Sequence, residues 1–490
     1  MSDNRPNSLT TNMATLHPVE AFTVPSDAIF QSGCRLEGSF YGSDGYRAAR
    51  SIFKSGFTLI DLGSRARVLW FGPFPRIYID DPDRGVPFLS SSEMMEARLE
   101  PARFVSSLLS RNLDALIVRE GTILISRSGT IGNVAYCTRD FEGLAVTEHA
   151  IRVTPDDPVN LGLLYAFLQS SAGQFLIKRS RSGSVVESIY EADVSGLILP
   201  WVPFRLRERL SEMIHEVSRL RVEANALLDE AEAEVQRQCG LPAILPDQNQ
   251  FSAFIRSFND VLESISNYGS LRLDATAFDQ TATNVRSAIA QVKHDQLRNL
   301  CQEIIYIGKV YRVPVEDKAY GAPLLSGKDL VMVRPAAEKY LSVLNARHIE
   351  RCRLQRGWVL VSCSGNIGRV AMCYRNFEGF VGSEHMLRLI CDETQINPFF
   401  VATFLSSPFG QVQMQAASYG SVIPEFSKDQ LGHLLIAIPE DRGKSIGATV
   451  RRAYDLRADA RDLEDEAIRL FETAIEEGKE ATEQKWGREY

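Results

Sequence analysis

No run of about 18 apolar residues occurs in this 490-residue chain, which excludes a membrane-spanning helix. The first 18 residues are polar and lack the apolar centre of a secretory signal, so they read as a frayed, disordered leader. Eight cysteines are scattered, with neither a Cys-x-x-Cys pair nor a Cys/His cluster at zinc spacing. Free thiols in a reducing cytoplasm and no bound metal are expected. Cys137 and Cys373 lie in apolar segments and are expected as small core residues. Positive charge is also short: 54 Lys and Arg against 62 Asp and Glu give a net charge of −8. A phosphate-gripping protein needs Lys and Arg. A whole-chain sum can hide a basic face behind acidic helices, however, so local clusters decide.

What is present is a repeat. Gly121-Thr-Ile-Leu-Ile-Ser-Arg-Ser-Gly-Thr-Ile-Gly132 returns as Gly357-Trp-Val-Leu-Val-Ser-Cys-Ser-Gly-Asn-Ile-Gly368, and 357 − 121 gives an offset of 236. From Gly121 to His149, 16 of 29 positions are identical at that offset. The chain is a tandem duplication. Arg35–Tyr41 matches Arg272–Phe278 at offset 237, and Gly85–Ser90 matches Gly321–Ser326 at 236. Within the first copy, β-branched and aromatic runs such as Arg76–Ile79 predict short strands. Gly121–Val153 reads as a β-meander with strands at Thr122–Ser126, Asn133–Thr138 and Ala150–Val153. Leu161–Phe175 has helical spacing, with Leu164, Phe167, Leu168 and Phe175 on one face. Its counterpart is Pro398–Val412, and both carry a Gly-Gln pair near the end (Gly173-Gln174, Gly410-Gln411). A loop (Ser182–Val186; Tyr419–Ile423) and an apolar strand ending at Pro200 or Pro439 complete each copy.

Neither Gly nor Pro occurs between Leu206 and Val235, and apolar residues fall at Leu206, Leu210, Met213, Val217, Leu220, Ala224, Leu227 and Ala231. Steps alternating between four and three make a heptad seam. Ile446, Ala453, Leu456, Ala460, Leu463 and Ala467 repeat it at offset 236. A helix of about 32 residues is roughly 48 Å long. Two such helices cover each other's apolar stripes if they pair antiparallel, which holds the globular units at opposite ends. The expected fold is α/β (α+β), with two globular domains at 19–202 and 251–440. A long helix follows each, at 203–240 and 441–478, pairing as an antiparallel coiled coil. A linker occupies 241–250 and a tail 479–490, and a short amphipathic helix is expected over Phe251–Asn267.

This order, with the Ser-x-Ser-Gly-x-Ile-Gly turn, the Arg-Leu-Asp-Ala-like opening and the Gly-Ser-Val loop, resembles the specificity (S) subunit of type I restriction-modification systems, over about residues 19–475. The resemblance implies two target-recognition domains that each read half of a split site in double-stranded DNA. It implies helices that set the spacer and dock DNA methyltransferase subunits, two in number, with a restriction or translocase subunit joining through them. S-adenosylmethionine would be bound by the methyltransferase, and this chain would hold no cofactor. Related subunits also occur in methylation-dependent phage-defence clusters. The rival reading is an interaction scaffold for a defence complex, which the acidic balance favours slightly.

Catalytic motifs are missing. Gly321–Lys328 has the wrong spacing for a phosphate-binding loop, and Asp329 follows the lysine. Asn397-Pro-Phe-Phe400 lacks the second proline of the amino-methyltransferase motif and reads as the edge of a helix. Glu148-His149 and Glu384-His385 are expected to brace a turn. Readers of unequal half-sites should differ at contact positions and agree in the scaffold. Arg127 faces Cys363, Thr130 faces Asn366 and Asn133 faces Arg369. Expected DNA contacts are therefore Ser126, Arg127, Ser128 and Thr130 in the first turn, and Ser362, Ser364, Asn366 and Arg369 in the second. The basic loop Lys178–Gly183 adds Lys178, Arg179, Arg181 and the neighbouring Ser184. Its counterpart, Gln413–Gly420, has lost the charge and offers Gln413, Gln415, Ser418 and Tyr419. Leu210, Val217, Leu220, Leu227, Ile446, Leu456 and Leu463 are the expected helix seam. The variable regions, roughly 41–118 and 278–354, carry no motif that identifies a docking mode.

Overall fold

The computed structural model describes residues 41–101, 103–110, 112–179, 187–244, 255–309, 312–315, 318–335, 339–375, 377–420 and 422–488, with a few isolated positions before 41. The leader, most of the first copy's opening, and Arg181 and Ser184 lie outside them.

The first unit opens with helix α1 (Asp44–Lys54), capped by Ser43 accepting from the Tyr46 N–H. Ten strands follow: β1 (Thr58–Asp61), β2 (Ala66–Leu69), β3 (Tyr78–Ile79), β4 (Gly85–Leu89), β5 (Arg103–Ser106), β6 (Ile123–Ser126), β7 (Val134–Tyr136), β8 (Ala145–Val146), β9 (Ala150–Pro155) and β10 (Ile198–Trp201). They form two four-stranded sheets, ordered β2-β9-β6-β7 and β3-β5-β4-β8, and a β1-β10 pair. The expected meander is therefore corrected. β6 lies between β7 and β9, and β8 leaves to pair in parallel with β4. Two shared side chains explain the split. Arg152, buried in the apolar strand β9, donates to the carbonyls of Ala150, Val146 and Leu116 and so ties the sheets together. Arg388 does the same in the second copy through Met386, Gly382 and Ser383. Burial pulls both guanidiniums down to about 10.

The expected single helix over Leu161–Phe175 is two, α2 (Leu161–Gln169) and α3 (Ser171–Arg179). Ser170 is extended, and its hydroxyl caps the second helix by accepting from the Gly173 N–H at 3.1 Å. Then comes α4 (Phe204–Gln238), 35 residues or about 52 Å at 1.5 Å per residue.

The second unit starts with α5 (Phe258–Tyr268), shorter than the expected 251–267 helix, and α6 (Gln280–Ala290). Its strands are β11 (His294–Gln296), β12 (Cys301–Ile305), β13 (Pro314–Val315), β14 (Gly321–Leu325), β15 (Tyr340–Ser342), β16 (Val359–Ser362), β17 (Val370–Met372), β18 (Val381–Gly382), β19 (Met386–Cys391) and β20 (Leu435–Ala437). The sheets, β12-β19-β16-β17 and β13-β15-β14-β18, and the pair β11-β20 repeat the first unit with every strand number raised by ten. Here too the helix is broken, into α7 (Pro398–Ser406) and α8 (Pro408–Ala417), because Pro408 has no N–H to continue the ladder. Asn397 caps α7, its Oδ1 accepting from Phe399 and Phe400, as the sequence predicts. The 34-residue α9 (Lys444–Glu477) follows. Residues 479–490, expected as a tail, contain α10 (Lys479–Trp486), which folds back so that the Lys479 N–H meets the Ser55 carbonyl.

Contacts between α4 and α9 run in opposite directions along the two helices: Gln238 with Ser445, Asn225 with Arg457, Arg221 with Glu464. The long helices are therefore antiparallel. Of the seam, Leu210, Val217, Leu220 and Ile446 are buried, and Leu227, Leu456 and Leu463 half-buried. The middle is a small cluster of Val217, Leu220 and Ala460 with Leu456 and Leu463 against it. Toward each end the seam merges with a unit's core. The first core takes Leu206 and Leu210 from α4 and Phe471 and Ile475 from α9; the second takes Val235 and Ile446. Both helices thus belong to both units, which explains why neither stripe is left exposed.

The contacts also obey a pseudo-two-fold axis. Arg98 pairs with Asp229 at 2.8 Å, and the equivalent Arg334 with Asp465 at 2.6 Å. Between units, the Ala97 N–H donates to Val331 and the Val333 N–H to Met95, a bridge centred on the equivalent residues Glu96 and Met332. Asn225, midway along α4, donates to the Ala97 carbonyl, so the helices and the bridge share one axis.

Candidate nucleic-acid interface

The two glycine turns are built alike. Gly129 and Gly365 both have φ of +75°, which L side chains resist. The Ser126 hydroxyl donates to the Thr130 carbonyl and accepts from the Asn133 N–H at 3.0 Å. Ser362 repeats this with Asn366 and Arg369 at 2.6 and 2.9 Å. Gln174 donates to the carbonyls of Gly132 and Leu168, and Gln411 to those of Gly368 and Leu405. The shared Gly-Gln pair is thereby explained: the glutamine pins the turn to the helix break. A Cβ on Gly173 would lie 1.9 Å from the Phe167 carbonyl oxygen.

Several expected contact residues are therefore scaffold. Ser126 and Ser362 are buried inside their own turns. Arg127 is buried, with its guanidinium 4.3 Å from the Trp70 ring centre and 4.9 Å from that of Tyr190, and Nε donating to the Ile189 carbonyl. Arg369 reaches across to Glu96 of the first unit at 3.1 Å. Gln413 is buried between Arg286, Phe409 and Leu435. The pairing of the basic loop with Gln413 shifts accordingly. Ile177 and Met414 pack on Gly132 and Gly368, which sets Lys178 opposite Gln415. Ser418 is half-buried, with its hydroxyl turned to the Gln415 carbonyl.

The remaining exposed positions gather around each turn. Gly129 and Thr130, and Gly365 and Asn366, form the tips. Ser128 contacts His149 at 3.1 Å, whereas Ser364 contacts Glu425 at 2.8 Å. Lys178 and Arg179 are exposed at the C-terminus of α3, and the Lys178 chain runs beside Gly132. Gln415 and Tyr419 are exposed in the second unit. Glu148 and Glu384 brace the base of this surface through Arg76 at 3.0 Å and Arg312 at 2.7 Å, as expected of a turn brace. For Glu384, burial works against the charge, but hydrogen bonding from Arg312 prevails and holds the carboxyl below its usual range. Two aromatic residues were not singled out from sequence. Trp70 donates from its ring N–H to the Glu148 carbonyl, and its counterpart Tyr306 is about half exposed. The signal was there: both stand 236 apart in otherwise dissimilar segments.

What results is two surfaces of like framework and different chemistry, one with the basic Lys178 and Arg179 and hydroxyls, the other with Glu425, amides and tyrosines in their place. No group of His, Cys, Asp and Glu among the described residues could hold a metal ion. Among the same residues, no helix is long and apolar enough to cross a membrane. Burial drives the Cys137 and Cys373 thiols up, the latter to about 12, as befits core residues.

No family model matches this sequence, and no curated protein does. Among solved structures, the chain is similar to the S subunit of a type I restriction-modification system from M. genitalium. Identity is 11% and the TM-score 0.32, covering 86% of this chain and 96% of that one. It is similar to the HsdS subunit from Thermoanaerobacter tengcongensis at 14% identity and a TM-score of 0.26, covering 87% and 97%. A chain from a study of complex assembly and conformational transition of the type I R-M system matches at 13% and 0.26, covering 86% and 96%. At these identities and scores the likeness carries no argument about function. That rests on the chain's own geometry.

Proposed function

We propose that this chain is a non-catalytic DNA-specificity subunit. It reads an asymmetric bipartite site with its two units and brings a separate S-adenosylmethionine-dependent adenine methyltransferase to it. The observation that carries this reading is that two turns built on the same scaffold differ at their exposed positions, Thr130 against Asn366 and Lys178 against Gln415. A scaffold for two identical partners has no use for Thr130 against Asn366, or for Lys178 against Gln415. Two readers of unlike half-sites do. Two weak readers on one frame also gain from linkage, because binding of the first raises the effective concentration of the second. The deciding measurement is a host methylome with this chain and its methyltransferase partner, and with the chain alone omitted. A discrete split motif that vanishes on omission is expected; no motif in either case would sink the proposal.

A second expectation concerns charge. Replacing Lys178 and Arg179 with glutamine should weaken DNA binding to all sequences alike. It should also lower the slope of log K against log salt by about 0.9 for each phosphate no longer neutralised. An unchanged slope in salt-titrated binding would remove α3 from the interface.

A further inference from the structure

The two units do more than share helices; they hold each other. At the pseudo-two-fold axis Met95–Ala97 lies antiparallel to Val331–Val333, with N–H donors at Ala97 and Val333 closing the bridge at 2.7 and 2.9 Å. Both centres are extended, Glu96 at φ −79°, ψ 145° and Met332 at φ −75°, ψ 143°. Beside the bridge, Arg369 of the second unit meets Glu96 of the first. On one flank Arg334 from the second unit and Arg221 from α4 converge, each at 2.8 Å, on the buried carboxylate of Glu464, which also accepts from Tyr165 of the first unit. On the other flank Ala402 and Leu228 stand where symmetry would place Tyr165 and Glu464, leaving a cleft of about 320 Å³. One flank is packed tight and the other open, so the clasp is a specific joint and not a by-product of duplication.

We propose that this clasp, and not the helix pair alone, fixes the distance between the two half-sites. The inference rests on the bipartite reading above. A helix pair sets how far apart the units are anchored, but each unit can still rock on its anchor. The bridge removes that freedom because two backbone hydrogen bonds and an ion pair must break together. Gap length then becomes part of the specificity.

The test uses the full chain with its methyltransferase and two single variants, Arg369→Glu and Ala97→Pro. Proline deletes one bridging donor, and the extended Glu96 before it accommodates the change. The pair Glu96→Arg with Arg369→Glu restores the charges in reverse. Two quantities are read. One is the spread of gap lengths in methylated motifs. The other is the distance distribution between spin labels at Leu108→Cys and Leu344→Cys, two equivalent and strongly exposed positions, with Cys34 and Cys301 changed to serine. The wild type should give one gap and a narrow distribution. Each single variant should keep both half-site sequences, admit gaps one base pair longer or shorter, and broaden the distribution. The charge swap should restore both. Folded single variants with a wild-type gap, or with an unbroadened distribution, overturn the proposal. If the wild type marks no split motif, the bipartite reading fails, and the label distances alone decide whether the clasp holds the units.

Discussion

Replacing Glu464 with alanine is expected to destabilise the chain by about 3–5 kcal/mol, the usual cost of removing one partner of a buried ion pair. Glu464 is fully buried, and two guanidiniums, Arg221 and Arg334, are aimed at it. Without the carboxylate, Arg221 loses its partner in a largely buried site and Arg334 keeps only Asp465. The Tyr165 hydroxyl loses its acceptor as well. The cost is large beside a domain's net stability of about 5–15 kcal/mol. Equilibrium denaturation checks it, and a loss below about 1 kcal/mol would contradict the argument, since that is the scale of an exposed pair. The pH dependence has a definite sign. Burial by itself would raise the Glu464 carboxyl above its ordinary 4.5, but Arg221, Arg334 and Tyr165 outweigh it and hold the group at about 2. A depressed carboxyl stabilises the fold above its unfolded pKa and loses that contribution as pH falls through the folded one. The gap in stability between wild type and Glu464→Ala should therefore be full above about pH 5 and shrink steadily toward pH 2.

The duplication, the long helices and the heptad positions were legible because each rests on periodicity, and periodicity survives in sequence. Leu210, Val217 and Ile446 are buried for the reason their spacing predicts. The sheets were legible only as strands. Whether β8 closes a meander or crosses to a second sheet depends on Arg152 finding three carbonyls, and a lone arginine in an apolar strand does not reveal its partners. The same limit governs the contact residues. Arg127 against Cys363 looked like a reader's difference, because a charged residue facing a thiol suggests surface. Trp70 and Tyr190, which bury it, come from 57 residues before it and 63 after it, by subtraction of their positions. Arg369 was misplaced by the same route: its partner Glu96 belongs to the other copy. Thr130 and Asn366 are exposed because a glycine turn exposes its tip whatever surrounds it. Differences between copies therefore mark two things, exposed positions at the turn tips and asymmetric packing within a unit or at the axis, and only burial separates them.

Gly162→Ala should be among the most damaging small substitutions in the first unit. On helix propensity alone, alanine for glycine inside α2 would gain about 0.8–1.0 kcal/mol. Packing opposes it. A Cβ at Gly162 would fall 2.1 Å from the Leu210 carbonyl carbon and 2.2 Å from the Ser211 nitrogen. Both are backbone atoms of α4, so no side chain can rotate away. The Gly162 N–H also donates to the Ser211 hydroxyl at 2.8 Å, which fixes the approach of the two helices. Accommodation requires α2 and α4 to part, and α4 carries the core of both units. Overpacking costs about 1–3 kcal/mol where side chains yield and more where they cannot, so a net loss above about 3 kcal/mol is expected. The second unit moves the glycine to the other partner: at the equivalent position stands Phe399, and α9 carries Gly447 where α4 carries Ser211, a Cβ there falling 2.2 Å from Asn397 Oδ1. Gly72→Ala is the matched control, since a Cβ there meets nothing within 4 Å. Chemical denaturation of both variants separates the causes. If Gly162→Ala proved as stable as Gly72→Ala, the helices would have room that these distances deny. If it unfolds early, the seat of the first unit on the shared helix is a backbone contact that only glycine permits.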